Sequence, residues 1–121
     1  MALQVQRIDI VAKMMYKEKF NGLTCSLYSN DHEPRRFDTI KYYKICHSIK
    51  LKSSKWKIKR TKEGYHCSYE DLVFTGKKPM YGYVVHRKGK LLWAEKLPFV
   101  CERPTGFPNW ELTLTAKIHI N

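Results

Sequence analysis

The stretch Met80-Tyr-Gly-Tyr-Val-Val-His-Arg-Lys-Gly-Lys-Leu-Leu-Trp-Ala-Glu-Lys-Leu-Pro-Phe99 decides how this chain is read. It consists of two apolar-aromatic runs joined by a short basic turn with one glycine. Lys88-Gly89 can supply the positive φ that a tight turn needs, so the pair reads as a β-hairpin. Val84, Val85, Leu91 and Trp93 suit a pleated, half-buried surface. Nothing in the hairpin has the pattern of an active site.

Beyond the hairpin, Arg103-Pro104-Thr105-Gly106-Phe107-Pro108-Asn109 reads as a stiff loop, because its two prolines forbid central-strand pairing. The closing segment is the longest clean alternation in the chain. Trp110, Leu112, Leu114, Ala116, Ile118 and Ile120 fall on one face, and Glu111, Thr113, Thr115, Lys117 and His119 on the other.

Upstream of the hairpin the same period recurs in shorter pieces. Leu23, Cys25 and Leu27 face one way, with Thr24, Ser26 and Tyr28 opposite. Ser29 to Pro34 is a loop by composition. Phe37 to Ile45 shows no clean apolar face, and a weak strand is expected near its end. Ile49 with Leu51, and Trp56 with Ile58, mark two short amphipathic segments separated by Ser53-Ser54. Glu63-Gly64 is a turn, Tyr65, Cys67 and Tyr69 alternate, and Leu72-Val73-Phe74 reads as buried on both sides. Gly76 to Pro79 makes the turn into the hairpin.

Only the start of the chain has a helical period. Val5, Ile8, Val11, Ala12 and Met15 share one face of a helix expected over residues 4–20, and Asn21-Gly22 supplies its stop. Many short strands with regular turns, preceded by a helix, argue for an antiparallel sandwich or barrel. The expectation adopted is a mainly β, single-domain chain over residues 1–121: an antiparallel β-sandwich of jelly-roll or immunoglobulin-like type with one N-terminal helix.

Composition bounds the function. A chain of 121 residues with 43% hydrophobic and 13% aromatic content can bury one modest core, and wholesale disorder is excluded. The formal charge of +12 points to acidic surroundings: nucleic acid, an anionic membrane or a negatively charged protein lattice. No stretch approaches the roughly 18 apolar residues of a membrane-spanning helix, so no membrane partner is expected. The N-terminus lacks the pattern of a signal peptide, which places the expected site of action on the cytosolic side or in a particle assembled there.

Chemistry-bearing patterns are sparse. Cys25, Cys46, Cys67 and Cys101 are widely spaced with no Cys-x-x-Cys pair, and read as reduced, buried thiols. Cys46-His47 and His66-Cys67 are adjacent pairs, which a strand sends to opposite faces unless the backbone bends, so no metal site is expected. Glu70-Asp71 diverges for the same reason. No nucleophile elbow, phosphate-binding glycine loop or His-Glu-x-x-His motif is present, and no catalytic residue or cofactor is expected. The strongest signal is electrostatic. Lys50, Lys52, Lys55, Lys57, Lys59, Arg60 and Lys62 form a basic run without an intervening carboxylate, the candidate partner-binding face. Trp56 alternates with those lysines and is expected in the core, which weakens recognition of single strands by base stacking. Phosphate attraction or docking on an acidic protein surface remains.

Four segments in order carry a resemblance: Val73-Phe74-Thr75-Gly76, Met80-Tyr81-Gly82-Tyr83, Leu91-Leu92-Trp93-Ala94-Glu95-Lys96, and Leu112-Thr113-Leu114-Thr115-Ala116-Lys117-Ile118. Together they resemble a group of small structural proteins of tailed bacteriophages. Leu23-Thr24-Cys25-Ser26-Leu27-Tyr28, followed by an asparagine-containing turn, fits the same order of elements. The resemblance implies a β-rich virion component without catalytic residues, assembled in the host cytoplasm. The expected role is a capsid decoration or cement protein, present as homo-oligomers or lattice-bound copies and partnered by the major capsid protein. A neck or tail component, partnered by neck or tail proteins, is the alternative within the particle. A small basic nucleic-acid-binding domain is the alternative from another class.

Overall fold

The computed structural model describes residues 20–120, and of Ile120 only the backbone. The helix expected over residues 4–20 lies outside the described residues, apart from Phe20. Among the described residues seven strands alternate with short turns: β1 (Thr24–Tyr28), β2 (Ile45–Lys50), β3 (Lys57–Thr61), β4 (Gly64–Gly76), β5 (Met80–Arg87), β6 (Lys90–Cys101) and β7 (Trp110–Ile120). The protein is mainly β, in two antiparallel sheets of order β2-β1-β5-β6 and β3-β4-β7.

The alternation read in the sequence fixes which face each strand turns inward. Cys25 and Leu27 of β1 and Tyr83 and Val85 of β5 join Cys67, Tyr69, Leu72 and Phe74 of β4 and Leu112 to Ile118 of β7 in one apolar cluster. That cluster draws on both sheets, so the sheets bury their inner faces against each other. The Tyr83 hydroxyl crosses between them and accepts the Lys117 amide at 3.0 Å.

The opening hairpin forms as read, with Lys88 at φ 50° and Gly89 at φ 75°, the pair of left-handed residues that a two-residue hairpin turn requires. Its far end departs from regular pairing. Gly82 pairs with Lys96 and Met80 with Cys101, so Leu97 to Val100 stand opposite Tyr81 alone. Pro98 has no amide to donate there, and the four residues bulge away from β5.

Two readings are corrected. Phe37 to Ile45 contributes only its last residue to a strand, with a single 3₁₀ turn at Ile40–Tyr42 before it. Val73 is 52% exposed, whereas Leu72 and Phe74 are buried. The cause is a register shift between Tyr69 and Leu72 where Asp71 takes φ 60°. It resets the phase of the strand, so Tyr69 and Leu72 both point inward and Val73 points out.

The sequence did not indicate how much of the outer face of the four-stranded sheet is covered. Tyr28 and Val84 lie there fully buried, packed with Tyr43, Ile40, Ile45, Leu91 and Ala94 in a second cluster. The 29–44 loop forms the cover. Asn30 ties it down, its amide donating to Tyr42 O at 2.9 Å and its carbonyl accepting Lys44 N at 2.8 Å.

Candidate functional site

Of the basic run, Lys50, Lys52, Lys55 and Lys57 line one groove, and Lys59, Arg60 and Lys62 fall outside its lining. Lys50 ends β2 on the edge of one sheet. Lys52 and Lys55 bracket the 3₁₀ turn Ser53–Lys55, which carries the chain to the edge of the other sheet. On β3, alternation sends Lys57 and Lys59 outward and separates them from Arg60, while Lys62 falls in the following turn. Trp56 is buried as expected. It stacks on Phe20 at 4.5 Å and meets Tyr69 edge-on at 5.4 Å. A groove of about 600 Å³ lies over this turn, where Lys50, Lys52, Lys55 and Lys57 share the lining with Glu70 and Asp71. Its charge is therefore mixed. Lys57 donates to Glu70 Oε2 at 2.9 Å, and this hydrogen bond raises the lysine above its ordinary value. Both ends of the pair are exposed, so it adds little stability.

A second cluster of basic side chains comes from strands that the sequence keeps far apart, and Glu95 of β6 shares the lining of the pocket beside it. Cross-strand registers align Lys57, Ser68 and Lys117 in one row, and Lys59, His66 and His119 in the next. These rows lie on the outer face of the three-stranded sheet, opposite Ile58, Cys67 and Ile118 in the core. Neighbouring strands are about 4.8 Å apart and the rows about 6.8 Å, so five basic side chains share a compact patch. The His66 and His119 rings stack at 4.4 Å, 4° from parallel, and His119 Nε2 donates to the Glu63 carbonyl at 3.1 Å. Lys59 and the two histidines were individually visible in the sequence. Their convergence depended on the register of β4 against β7.

The adjacent cysteine–histidine pairs separate. His66 points out while Cys67 is buried. At Cys46-His47 the backbone does bend: His47 is an extra residue between the Ser26–Ser48 and Leu27–Cys46 pairs, at φ 54°. Cys46 packs on the core, and the His47 ring goes elsewhere, 5.4 Å from Trp110 in an edge-on contact. Among the described residues no three His, Cys, Asp or Glu side chains converge as a metal site would need. Cys25 is buried and its thiol is pushed up to about 12 by burial, which leaves it protonated and unreactive at neutral pH. Cys101 is raised by burial as well.

A serine–histidine cluster was not read from the sequence. Ser26 Oγ lies 2.6 Å from Ser48 Oγ and 2.8 Å from His86 Nε2. Burial holds His86 below the ordinary histidine value. A hydroxyl beside an imidazole is the geometry of an activated nucleophile. Here, however, Ser26 is fully enclosed, so no substrate carbonyl reaches its oxygen. The cluster satisfies a buried polar group in the centre of β1.

The 29–44 loop is organised by Asp38, whose side chain is only 6% exposed. One oxygen, Oδ2, accepts from His32 Nε2 at 2.8 Å, the Tyr43 hydroxyl at 2.7 Å and the Arg35 amide at 2.9 Å. Burial alone would raise this carboxyl. The hydrogen bonds from His32, Tyr43 and Arg35 outweigh it and hold the group down at about 2.

Apolar side chains project elsewhere. Phe99 is 59% exposed on the β6 bulge with Val100 beside it, and Phe107 is 63% exposed in the next loop. Phe37 stands out from the 29–44 loop, with the Arg36 guanidinium 5.7 Å from its ring centre. Comparison of the chain with protein-family models, curated proteins and solved structures returned no match.

Proposed function

We propose that the protein is a non-enzymatic structural component of tailed-bacteriophage particles, a decoration protein that binds the capsid lattice. In this reading the two sheets form a single-domain β-sandwich of jelly-roll or immunoglobulin-like type. The observation that carries the proposal is the end of the β5–β6 hairpin, where the Leu97–Val100 bulge presents Phe99 and Val100 to solvent. The segments that resemble phage structural proteins build this hairpin and its neighbours. Exposed aromatic side chains on a chain of net charge +12 suit docking on another protein: the aromatics supply contact area, and the charge offsets carboxylates on the lattice. Many copies on one lattice gain through multivalency, so each contact can be weak.

Mass spectrometry of purified particles tests the reading. The expected result is this chain in stoichiometric amounts with the major capsid protein. Particles that lack it overturn the proposal. If the chain is present, its location by cryo-electron microscopy separates a decoration role from a neck or tail role.

The two basic rows on the three-stranded sheet favour a second reading, a nucleic-acid-binding domain held by phosphate contacts. Such binding weakens steeply with salt, by a slope of about 0.9 in log K per phosphate neutralised. A purified chain that binds neither DNA nor RNA at low salt eliminates it.

A further inference from the structure

We infer that His47, Lys77, Lys78 and Asn109 form a binding site for a phosphate-sized oxyanion, apart from both the basic run and the basic rows. These residues line a shallow bowl of about 380 Å³ together with Thr75 and Gly76. Three separate parts of the chain meet there: the β2 bulge, the turn between β4 and β5, and the residue preceding β7. Among the described residues no carboxylate lines the bowl; Glu111, opposite Thr75 in the β4–β7 register, is outside the lining.

Two features show that the histidine is positioned rather than merely nearby. His47 holds a left-handed φ of 54°, a conformation that side-chain-bearing residues adopt at a cost and that concentrates at functional positions. Its ring also needs the missing side chain at Gly76. A Cβ at that position would sit 2.7 Å from His47 Nε2 and 2.5 Å from Trp110 Cζ2. Gly76 thus lets the imidazole come down against the end of β4, where Trp110 supports it edge-on. The Trp110 indole is itself anchored, donating to Lys78 O at 2.6 Å, and Thr75 Oγ1 donates to Trp110 O at 3.0 Å. Hydrogen bonds therefore tie two lining residues, Thr75 and Lys78, to Trp110, and the lining as a whole brings together a histidine, an asparagine and two lysines. That donor set suits a tetrahedral oxyanion, which accepts several hydrogen bonds and attracts cations.

The phosphate could come from free ion or from a nucleic-acid backbone, and one titration separates the two. Inorganic phosphate and a short oligonucleotide are each added to the intact protein, with backbone amide shifts of Gly76, Lys77 and Lys78 followed by NMR. The expected result is saturable phosphate binding with a dissociation constant on the order of 1 mM. It should weaken about tenfold in the Lys77→Gln/Lys78→Gln double variant and be lost in His47→Gly. Glycine accepts φ 54° freely, so His47→Gly keeps the bulge, and a cooperative melting transition in that variant separates lost binding from lost fold. Tighter binding of the oligonucleotide through the same residues assigns the source to a phosphodiester; tighter binding of phosphate assigns it to the free ion. Absence of saturable shifts overturns the inference. So do shifts that persist unchanged in both variants, which would mark an adventitious ion only.

Discussion

The Tyr28 ring occupies the space that a side chain at position 82 would need. The two residues are register partners across β1 and β5, and a Cβ on Gly82 would run into the Tyr28 ring and hydroxyl and into the Glu95 carbonyl. Tyr28 is fully buried there and donates to His32 O at 3.0 Å, linking the sheet to the loop that covers it. The glycine of the Tyr-Gly-Tyr segment is thus a seat for an aromatic ring from the neighbouring strand. Gly82→Ala should destabilise the fold by about 1–3 kcal/mol, the usual cost of overpacking. Urea denaturation checks this, and Tyr28→Leu should relieve part of the loss in the double variant.

Trp110 and Trp93 should respond differently to truncation. Trp110 is 2% exposed and hydrogen-bonded to Lys78 O, so Trp110→Ala should cost about 3–5 kcal/mol. Trp93 is half-buried, and its indole donates to Glu95 Oε1 at 3.0 Å within its own strand. Its truncation should cost clearly less. Parallel denaturation curves decide the order, and equal losses would contradict the difference in burial.

Asp38 predicts an acid transition confined to the 29–44 loop. Its carboxyl sits at about 2 in the folded protein, against 3.8 as the ordinary value. A depressed carboxylate stabilises fully above the unfolded value, and that contribution is lost as pH falls through the folded one. Loop protection should therefore hold above about pH 4 and fade toward pH 2. Hydrogen exchange of the 29–44 amides along a pH series measures it, after correction for the intrinsic rate. In Asp38→Asn the loop should exchange faster at neutral pH, and the acid step should disappear.

The projecting aromatics carry a prediction without a stability cost. Phe99→Ala and Phe107→Ala should each change stability by no more than about 0.5 kcal/mol, as exposed substitutions usually do. On the decoration reading, the double variant should lose binding to capsids that lack the chain. Sedimentation of such capsids with parent and variant protein gives the comparison; equal binding would remove these residues from the interface.

Charge variants separate the two basic surfaces. On the nucleic-acid reading, Lys59→Gln with Lys117→Gln should lower the salt slope by about 2, one for each lysine that no longer neutralises a phosphate. Lys50→Gln with Lys52→Gln should have the smaller effect, because two carboxylates, Glu70 and Asp71, line their groove, against the single Glu95 beside Lys59 and Lys117. Lys55, Lys57 and Lys59 changed together to Glu should still fold, since all three are exposed.

The strands with a clean period of two were legible from residue types alone. In β7 each apolar residue has a polar neighbour to set its phase, whereas β5 and β6 were legible as a hairpin, two apolar-aromatic runs about the Lys88-Gly89 turn. Legibility failed where a backbone irregularity intervened. The bulge at Glu70-Asp71 rephased β4 and exposed Val73, and nothing in Leu72-Val73-Phe74 signals that. The 29–44 loop hid its role in another way. It is polar, and its covering function rests on Asp38 gathering three donors and on Tyr43 and Ile40 packing inward, relationships fixed only by the folded path. The basic run was legible only in part: Lys50, Lys52, Lys55 and Lys57 do line one groove, but Lys59 joins His66 and His119 from two other strands instead.

The position of β1 has a consequence for the order of folding. Ser26 hydrogen-bonds to Ser48, 22 residues later, and to His86, 60 residues later, because β1 lies between β2 and β5. Hairpins β3–β4 and β5–β6 can close locally, but the first strand gains its second neighbour only when the fifth docks. Long-range pairing of this kind slows folding, since loop closure precedes the contacts that reward it. Until then Cys25 and Leu27 show one open edge to any other strand, including the β5 of another copy. Exchange of the β5–β6 hairpin between chains is therefore the misassembly that this topology favours, and it would be most frequent when refolding is attempted at high concentration.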